Sequence, residues 1–154
     1  MILKIEEIGL SIEAEDDLLH KLVENGKNYY PNEFGGFLIG YYPDEERHLQ
    51  ITDTIFPESF NMSRYSFERS TKGIEKKLEN YYKEKPKKIY VGEWHTHPDN
   101  YPTPSVTDIL AINKIANNQN TFLLNPVLLI IGYTKTKVDF GFYVWFKNKL
   151  YKYE

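Results

Sequence analysis

Two of the four histidines in the sequence, His95 and His97, lie two residues apart within the stretch 93–98. Residues 88–91, just before them, are rich in β-branched and aromatic side chains, which predicts a strand. Side chains at positions i and i+2 of a strand project from the same face, so both imidazoles are expected on one side. Two imidazoles on a rigid strand can supply two ligands of a metal site.

A hydroxyl and a carboxylate follow at a predicted helix start. The proline-containing residues 99–104 predict a short ordered loop, after which Ser105 opens a helix with Asp108 three residues on. Such a pair is typical of a capping box, in which each side chain bonds the backbone of the other residue. Two histidines and Asp108 would also leave one tetrahedral position of a zinc ion open, which is the pattern of catalytic zinc sites. Both interpretations stay open at this point.

The combined spacing resembles the signature of a known protease family. The segment His-Thr-His-Pro at 95–98, followed by Ser-x-x-Asp at 105–108, is similar to the JAMM motif of the JAB/MPN metalloproteases. That family also has an upstream glutamate, on a strand before a Gly-x-Leu-x-Gly run. Residues 33–40, Glu-Phe-Gly-Gly-Phe-Leu-Ile-Gly, fit this pattern with Glu33 as the glutamate.

The resemblance implies a role for five residues. His95, His97 and Asp108 match the ligands of one Zn²⁺ per chain, and zinc lowers the pKa of bound water to about 7. Glu33 matches the general base, which takes a proton from water and passes it to the leaving amine. Ser105 matches the residue beside the developing oxyanion, where one hydrogen bond contributes about 3 kcal/mol in the transition state.

Glu93 competes with Glu33 for the role of general base. It has the same strand parity as His95 and His97, so its side chain is expected on their side of the strand. Spacing alone does not rank the two glutamates. The resemblance favours Glu33, because the family's glutamate comes from the earlier strand.

The pattern of apolar residues predicts an α/β (α+β) fold, with one mixed β-sheet and helices packed on its faces. The resemblance implies that residues 1–154 form a single JAB/MPN-like domain. The predicted strands lie within 2–12 and at 33–42, 49–55, 88–97, 127–131, 138–147 and 150–153, with a turn at 42–46. The predicted helices lie at 13–26, at 71–83 and from 105 onward, the last with Ile109, Leu110, Ile112 and Ile115 turned inward.

Residues 57–70 have the least regular pattern in the sequence. Aromatic side chains such as Phe60 and Tyr65 alternate there with charged ones such as Arg64. One interpretation is a surface loop docked by its aromatic residues. The other is one side of a substrate groove, with residues 99–104 on the opposite side, since binding residues concentrate on loops.

Composition excludes several classes of function. The chain has 154 residues, 41% of them hydrophobic, which is enough for a buried core. It has no cysteine, which excludes disulfides, thiolate ligands and cysteine-protease chemistry and fits a reducing cytoplasm. A net charge of −3 predicts no nucleic-acid partner. The N-terminus does not resemble a signal peptide, and the longest apolar run, 127–131, is too short to span a membrane.

The resemblance also implies a reaction. Family members with the full ligand set are mostly isopeptidases that cut ubiquitin or ubiquitin-like proteins from lysines. Residues 91–98 look most like the prokaryotic branch, which includes deconjugating enzymes of CBASS-type anti-phage operons encoded beside E1/E2-like conjugating enzymes. Two alternatives stay open: a metal-free MPN scaffold that binds protein partners, and a zinc hydrolase of small amides. The oligomeric state is left undetermined.

Overall fold

The computed structural model describes residues 1–44, 46–120, 123 and 125–154. The strands are β1 (Ile2–Ile5), β2 (Leu10–Ala14), β3 (Gly35–Asp44), β4 (His48–Ile55), β5 (Phe60–Met62), β6 (Phe67–Arg69), β7 (Ile89–Pro98), β8 (Val127–Tyr133), β9 (Val138–Phe146) and β10 (Lys149–Lys152). The helices are α1 (Asp16–Lys27), α2 (Glu75–Tyr82) and α3 (Val106–Ala116), with a 3-10 turn at Glu6–Ile8. None of the helices in this described part is long and apolar enough to cross a membrane.

Eight strands form one mixed sheet in the order β1-β2-β4-β3-β7-β8-β9-β10. The strand that carries both histidines, β7, lies inside the sheet, antiparallel to β3 and parallel to β8. Two backbone hydrogen bonds between Lys4 and Glu154, of 2.8 and 2.9 Å, connect β1 to the segment after β10, so the two edges of the sheet meet. Strands β5 and β6 form a separate two-stranded hairpin.

Helices cover both faces of the sheet. On one face, the apolar stripe of α1 packs in the main core with side chains of β3, β7 and β8. On the other face, α2 packs on Phe37 and Ile39 of β3, and α3 packs through Ile112 on Leu128 and Ile130 of β8. Both β3 and β8 are therefore apolar at consecutive positions, as strands covered on two faces should be. The predicted mixed sheet with helices on its faces is confirmed.

Several boundaries differ from the prediction, two of them because strands extend further than expected. Strand β3 continues to Asp44, so the turn predicted at 42–46 starts later, and Glu45 lies outside the described residues. Helix α1 begins at Asp16, three residues later than predicted, because β2 runs to Ala14 and pairs in parallel with β4. The order of elements is unaffected by these shifts.

The expectation that α3 turns four apolar residues inward is wrong for its first half. Ile112 is 3% exposed, whereas Ile109 and Leu110 are 37% and 63% exposed. The first turn of α3 directs Asp108 toward the histidines of β7, and Ile112 lies one turn further along the same helix face. Leu110, two residues from each of them, therefore lies on the opposite side of the helix.

Candidate metal centre

Strand β7 presents His95 and His97 on one side of the sheet, as the predicted parity requires. Trp94 and Thr96 turn to the opposite face, where they are 1% and 0% exposed. Thr96 holds β7 to the segment before β3: its N–H donates to the Phe34 carbonyl at 2.8 Å, and its Oγ1 accepts the Phe34 N–H at 3.0 Å. This fixed backbone places the two imidazole Nε2 atoms 3.1 Å apart.

The capping box of α3 holds Asp108 against the two histidines. Ser105 Oγ accepts the Asp108 N–H at 3.1 Å, and the Ser105 N–H donates to Asp108 Oδ2 at 2.8 Å. Asp108 Oδ1 lies 3.2 Å from His95 Nε2, and Asp108 Oδ2 lies 3.3 Å from His97 Nε2. The two interpretations of the Ser-x-x-Asp pair are therefore compatible, because the cap orients the carboxylate that faces the imidazoles.

The separations of these three groups suit a tetrahedral zinc ion. Ligand atoms about 2.0–2.2 Å from zinc lie about 3.3–3.6 Å apart at the corners of a tetrahedron. Here the two imidazole Nε2 atoms are 3.1 Å apart, and each lies 3.2 or 3.3 Å from the nearer of the two Asp108 oxygens. His97 Nδ1 also lies 3.0 Å from the Tyr101 carbonyl oxygen, a contact that orients the ring and leaves Nε2 facing the site. His95, His97 and Asp108 therefore fit a zinc ion with three protein ligands and one open position.

The charge of Asp108 also suits a cation. Burial alone would raise the pKa of this carboxyl, but hydrogen bonds from His95, His97 and the Ser105 N–H outweigh burial and hold the pKa well below its usual range. Asp108 is therefore an anion throughout the physiological pH range, as a carboxylate ligand has to be.

Glu33 lies beside the imidazoles, outside the group of three. It precedes β3 by two residues, where the sequence predicts a strand, and its N–H donates to the Ser63 carbonyl at 2.8 Å. Its Oε1 is 3.9 Å from His97 Nε2, and the residue is 8% exposed. Burial raises the pKa of Glu33, His95 and His97 lower it, Asp108 raises it, and the net direction is upward. A carboxylate with a raised pKa in this position suits a proton acceptor.

The rival glutamate, Glu93, is engaged elsewhere. Its carboxylate accepts a hydrogen bond from Arg69 Nε of the β5–β6 hairpin, and the Arg69 guanidinium lies 5.2 Å from the centroid of the Phe37 ring. Burial raises the pKa of Glu93, although Arg69 opposes this shift. Sequence reasoning missed Arg69 because it lies 24 residues from Glu93 and no local pattern connects them.

Residues 57–70 contain the β5–β6 hairpin, whereas the sequence suggested a loop. Phe60 and Phe67 pack edge-on against Phe34, at centroid distances of 5.3 and 5.6 Å, so the aromatic side chains do dock this segment. At the hairpin tip, Arg64 Nη2 lies 3.5 Å from Asp99 Oδ2, in the loop after β7. The hairpin thus packs on the core and also reaches the loop that follows the histidines.

Comparison with known proteins finds two similar proteins that have the same name. A protein of Enterobacter hormaechei named CD-NTase/cGAS isopeptidase is 36% identical over 102 residues, which are 66% of this chain and 56% of that protein. An Escherichia coli protein of the same name is 36% identical over 84 residues, 53% of each chain. The chain therefore spans about half the length of the curated relatives it matches.

A solved structure and a family model also match this chain. The solution structure of a protein from Desulfitobacterium hafniense has a TM-score of 0.69 and 17% identity, covering 92% of this chain and 88% of that one, which shows the same fold. The family model described as prokaryotic homologs of the JAB domain matches residues 15–144. That span includes all five candidate residues and confirms the resemblance: the chain belongs to the family of prokaryotic JAB homologues.

Proposed function

We propose that this protein is a zinc-dependent isopeptidase that cleaves the amide between the C-terminus of a carrier protein and a lysine of its target. The observation that carries the proposal is the convergence of His95, His97 and Asp108 at tetrahedral spacing, with Glu33 beside them. Membership of the prokaryotic JAB family and the word isopeptidase in the names of both relatives support the same activity.

Each residue has a distinct task in this hydrolysis. His95, His97 and Asp108 would hold a zinc ion, which would supply Lewis acidity and lower the pKa of the attacking water. Glu33 accepts a proton from the attacking water and later donates it to the departing lysine amine, which returns the carboxylate to its starting state. Ser105 Oγ accepts the Asp108 N–H and keeps its own hydroxyl hydrogen, which it donates to the developing oxyanion.

The substrate tail, in this proposal, lies between the β5–β6 hairpin and the loop 99–104. An extended C-terminal tail can add as a strand to an exposed sheet edge, where backbone hydrogen bonds hold it. The hairpin presents exposed side chains there, with Tyr65 83% and Met62 38% exposed. The Arg64–Asp99 ion pair between the two segments is half-exposed and therefore costs little to open.

The names of the relatives support a proposal for the partner. Both are called CD-NTase/cGAS isopeptidases, so we propose that a CD-NTase forms one side of the conjugate. We propose that E1/E2-like enzymes, encoded in the same operon of an anti-phage system, make this conjugate. The reaction then takes place in the cytoplasm, where the conjugate is made.

Cleavage of a defined conjugate tests the proposal. The substrate is a fusion that ends in the C-terminal residues of the carrier from the same operon, joined to a reporter. We expect a cut at the carrier's last residue that stops with a chelator and returns with zinc. Glu33→Gln keeps the shape but removes the base, so kcat should fall about 10²–10⁴-fold while zinc is retained. Glu24→Gln, on the exposed side of α1, is the matched control and should be fully active.

Other outcomes favour the alternatives. Binding of the carrier by the zinc-loaded protein with no cleavage would favour a scaffold. Hydrolysis of small amides, with neither binding nor cleavage of the carrier, would favour a small-amide hydrolase. Cleavage that continues after complete removal of metal would contradict the proposed chemistry.

A further inference from the structure

The β5–β6 hairpin is connected to the candidate site at two points. Near its tip, the Ser63 carbonyl accepts the Glu33 N–H at 2.8 Å. At the end of β6, Arg69 Nε donates to the carboxylate of Glu93, which precedes His95 by two residues on β7. One connection therefore reaches the backbone of the proposed base, and the other reaches the strand of the proposed ligands.

The Arg69–Glu93 pair is well enclosed for an ion pair. The side chains are 28% and 17% exposed. Phe37 pairs with Glu93 across the β3–β7 ladder, and its ring lies under the guanidinium at 5.2 Å and edge-on to Tyr90 at 6.0 Å. A planar guanidinium held by a carboxylate on one side and an aromatic ring on another has little freedom to move.

The hairpin needs such an anchor. Its strands have three residues each, and an isolated two-stranded hairpin is marginally stable at best. Phe60 and Phe67 fix it through the aromatic cluster around Phe34, but these contacts lie on the core side. Arg69 provides the polar connection to the opposite side of β3 and β7, where the histidines project.

We infer that Arg69 and Glu93 are positioning residues, whose pair fixes the hairpin to β7 and, through Ser63, the backbone at Glu33. Glu93 then acts on the reaction through the hairpin and does not exchange a proton with substrate. The catalytic consequence rests on the proposed isopeptidase activity. The anchoring itself is a property of the folded chain and can be measured without a substrate.

Amide hydrogen exchange of the full zinc-loaded chain tests the anchoring. Arg69→Met leaves Glu93 unpaired, so exchange over 60–69 and at Glu33 should be at least about ten-fold faster than in the wild type. Glu93→Gln should loosen the same amides and keep zinc binding. Arg64→Met, on the same hairpin, is the matched comparison. It should change the exchange rates much less, because the ion pair between Arg64 and Asp99 is more exposed.

Kinetics on the conjugate test the consequence for the reaction. Arg69→Met and Glu93→Gln should each raise KM and lower kcat. Both variants displace the β5–β6 hairpin, where we propose that the substrate tail binds, and the backbone at Glu33. The double variant should be about as impaired as Arg69→Met alone, because Glu93 acts through Arg69 and Arg69→Met also removes the contact with Phe37. The exchanged variant Arg69→Glu/Glu93→Arg should recover part of the loss, which a proton-transferring Glu93 would not allow.

Several results would overturn the inference. Wild-type exchange rates over 60–69 and at Glu33 in both single variants would do so. Loss of activity in Glu93→Gln with an unchanged hairpin would make Glu93 the base. If Arg69→Met fails to fold, Arg69→Lys keeps the charge without the planar fork and should exchange at an intermediate rate; a rate equal to the wild type would refute the pair's role. If variants loosen the hairpin and the wild type never cleaves, only the proposed function fails.

Discussion

At the scale of the residue, Ser105 has two roles that its variants can separate. Its hydroxyl accepts the Asp108 N–H at 3.1 Å and thereby closes the first turn of α3. The same hydroxyl is our proposed donor to the oxyanion. Alanine removes both contributions, whereas glycine is itself an acceptable N-cap residue without a hydroxyl.

We therefore expect Ser105→Ala and Ser105→Gly to differ in stability but to have similar activity. Ser105→Ala should lower the free energy of unfolding by about 1 kcal/mol, and Ser105→Gly by only a few tenths of that. Both should lose about 10²–10³-fold in kcat, because neither can donate to the oxyanion. Urea unfolding and cleavage kinetics measure the two effects. An active Ser105→Gly would reduce Ser105 to a capping residue.

The candidate site residues differ in how well the sequence predicts their positions, for physical reasons. His95 and His97 are predictable because strand parity fixes the direction of both side chains. Asp108 is predictable because the start of the helix places it one short loop away from the two histidines. Glu33 and Glu93 could not be ranked from spacing, since the choice depends on Arg69, which reaches Glu93 from a separate hairpin.

At the scale of the element, α1 and β7 meet where Gly26 faces Thr96. A Cβ at position 26 would overlap the methyl group of Thr96. Thr96 lies between the two histidines in the sequence and is fully buried. Helix propensity alone would favour alanine over glycine at this position by about 1 kcal/mol. The close approach of the helix to β7 should reverse that preference.

Gly26→Ala should therefore destabilise the protein, by about 1–3 kcal/mol as overpacked cores do. Thr96→Ser removes the overlapping methyl group and keeps the Oγ that accepts the Phe34 N–H. The double variant should be more stable than Gly26→Ala alone, as measured by urea unfolding. An additive double variant, or a stabilising Gly26→Ala, would contradict this packing account.

Helix α3 depends on its first turn more than α1 does. Only Ile112 among the residues of α3 is buried, whereas α1 buries five residues, Gly26 included. If Asp108 shares a zinc ion with β7, metal connects α3 to the sheet. Chelation should then speed amide exchange in α3 while α1 stays protected. Equal exchange of α3 with and without zinc would argue against a ligand on this helix.

At this scale the sequence misjudged α3 and did not predict that residues 57–70 form a hairpin. The apolar residues Ile109 and Leu110 suggest an inward face, but the direction of Asp108 sets the rotation of the helix instead. Residues 57–70 lack a regular pattern because β5 and β6 are three residues long, too short for alternation to be recognised. Tertiary contacts decide both cases.

At the scale of the whole molecule, the predicted class of fold is right, but the arrangement of its strands needed the structure. Runs of consecutive apolar residues in β3 and β8 predict strands covered on both faces, and they are. Strand order and the contact of Lys4 with Glu154 depend on pairing between residues distant in sequence, which local patterns do not encode. Because one sheet connects β1 to β10, we propose that residues 1–154 act as a single domain.

The proposed hydrolysis depends most directly on a zinc ion bound by His95, His97 and Asp108. Elemental analysis of protein purified without chelator should give about one zinc per chain. His95→Ala should lose it, whereas His20→Ala, at an exposed position of α1, should retain it. A stoichiometry near zero that added zinc cannot restore, or an unchanged zinc content in His95→Ala, would contradict the account.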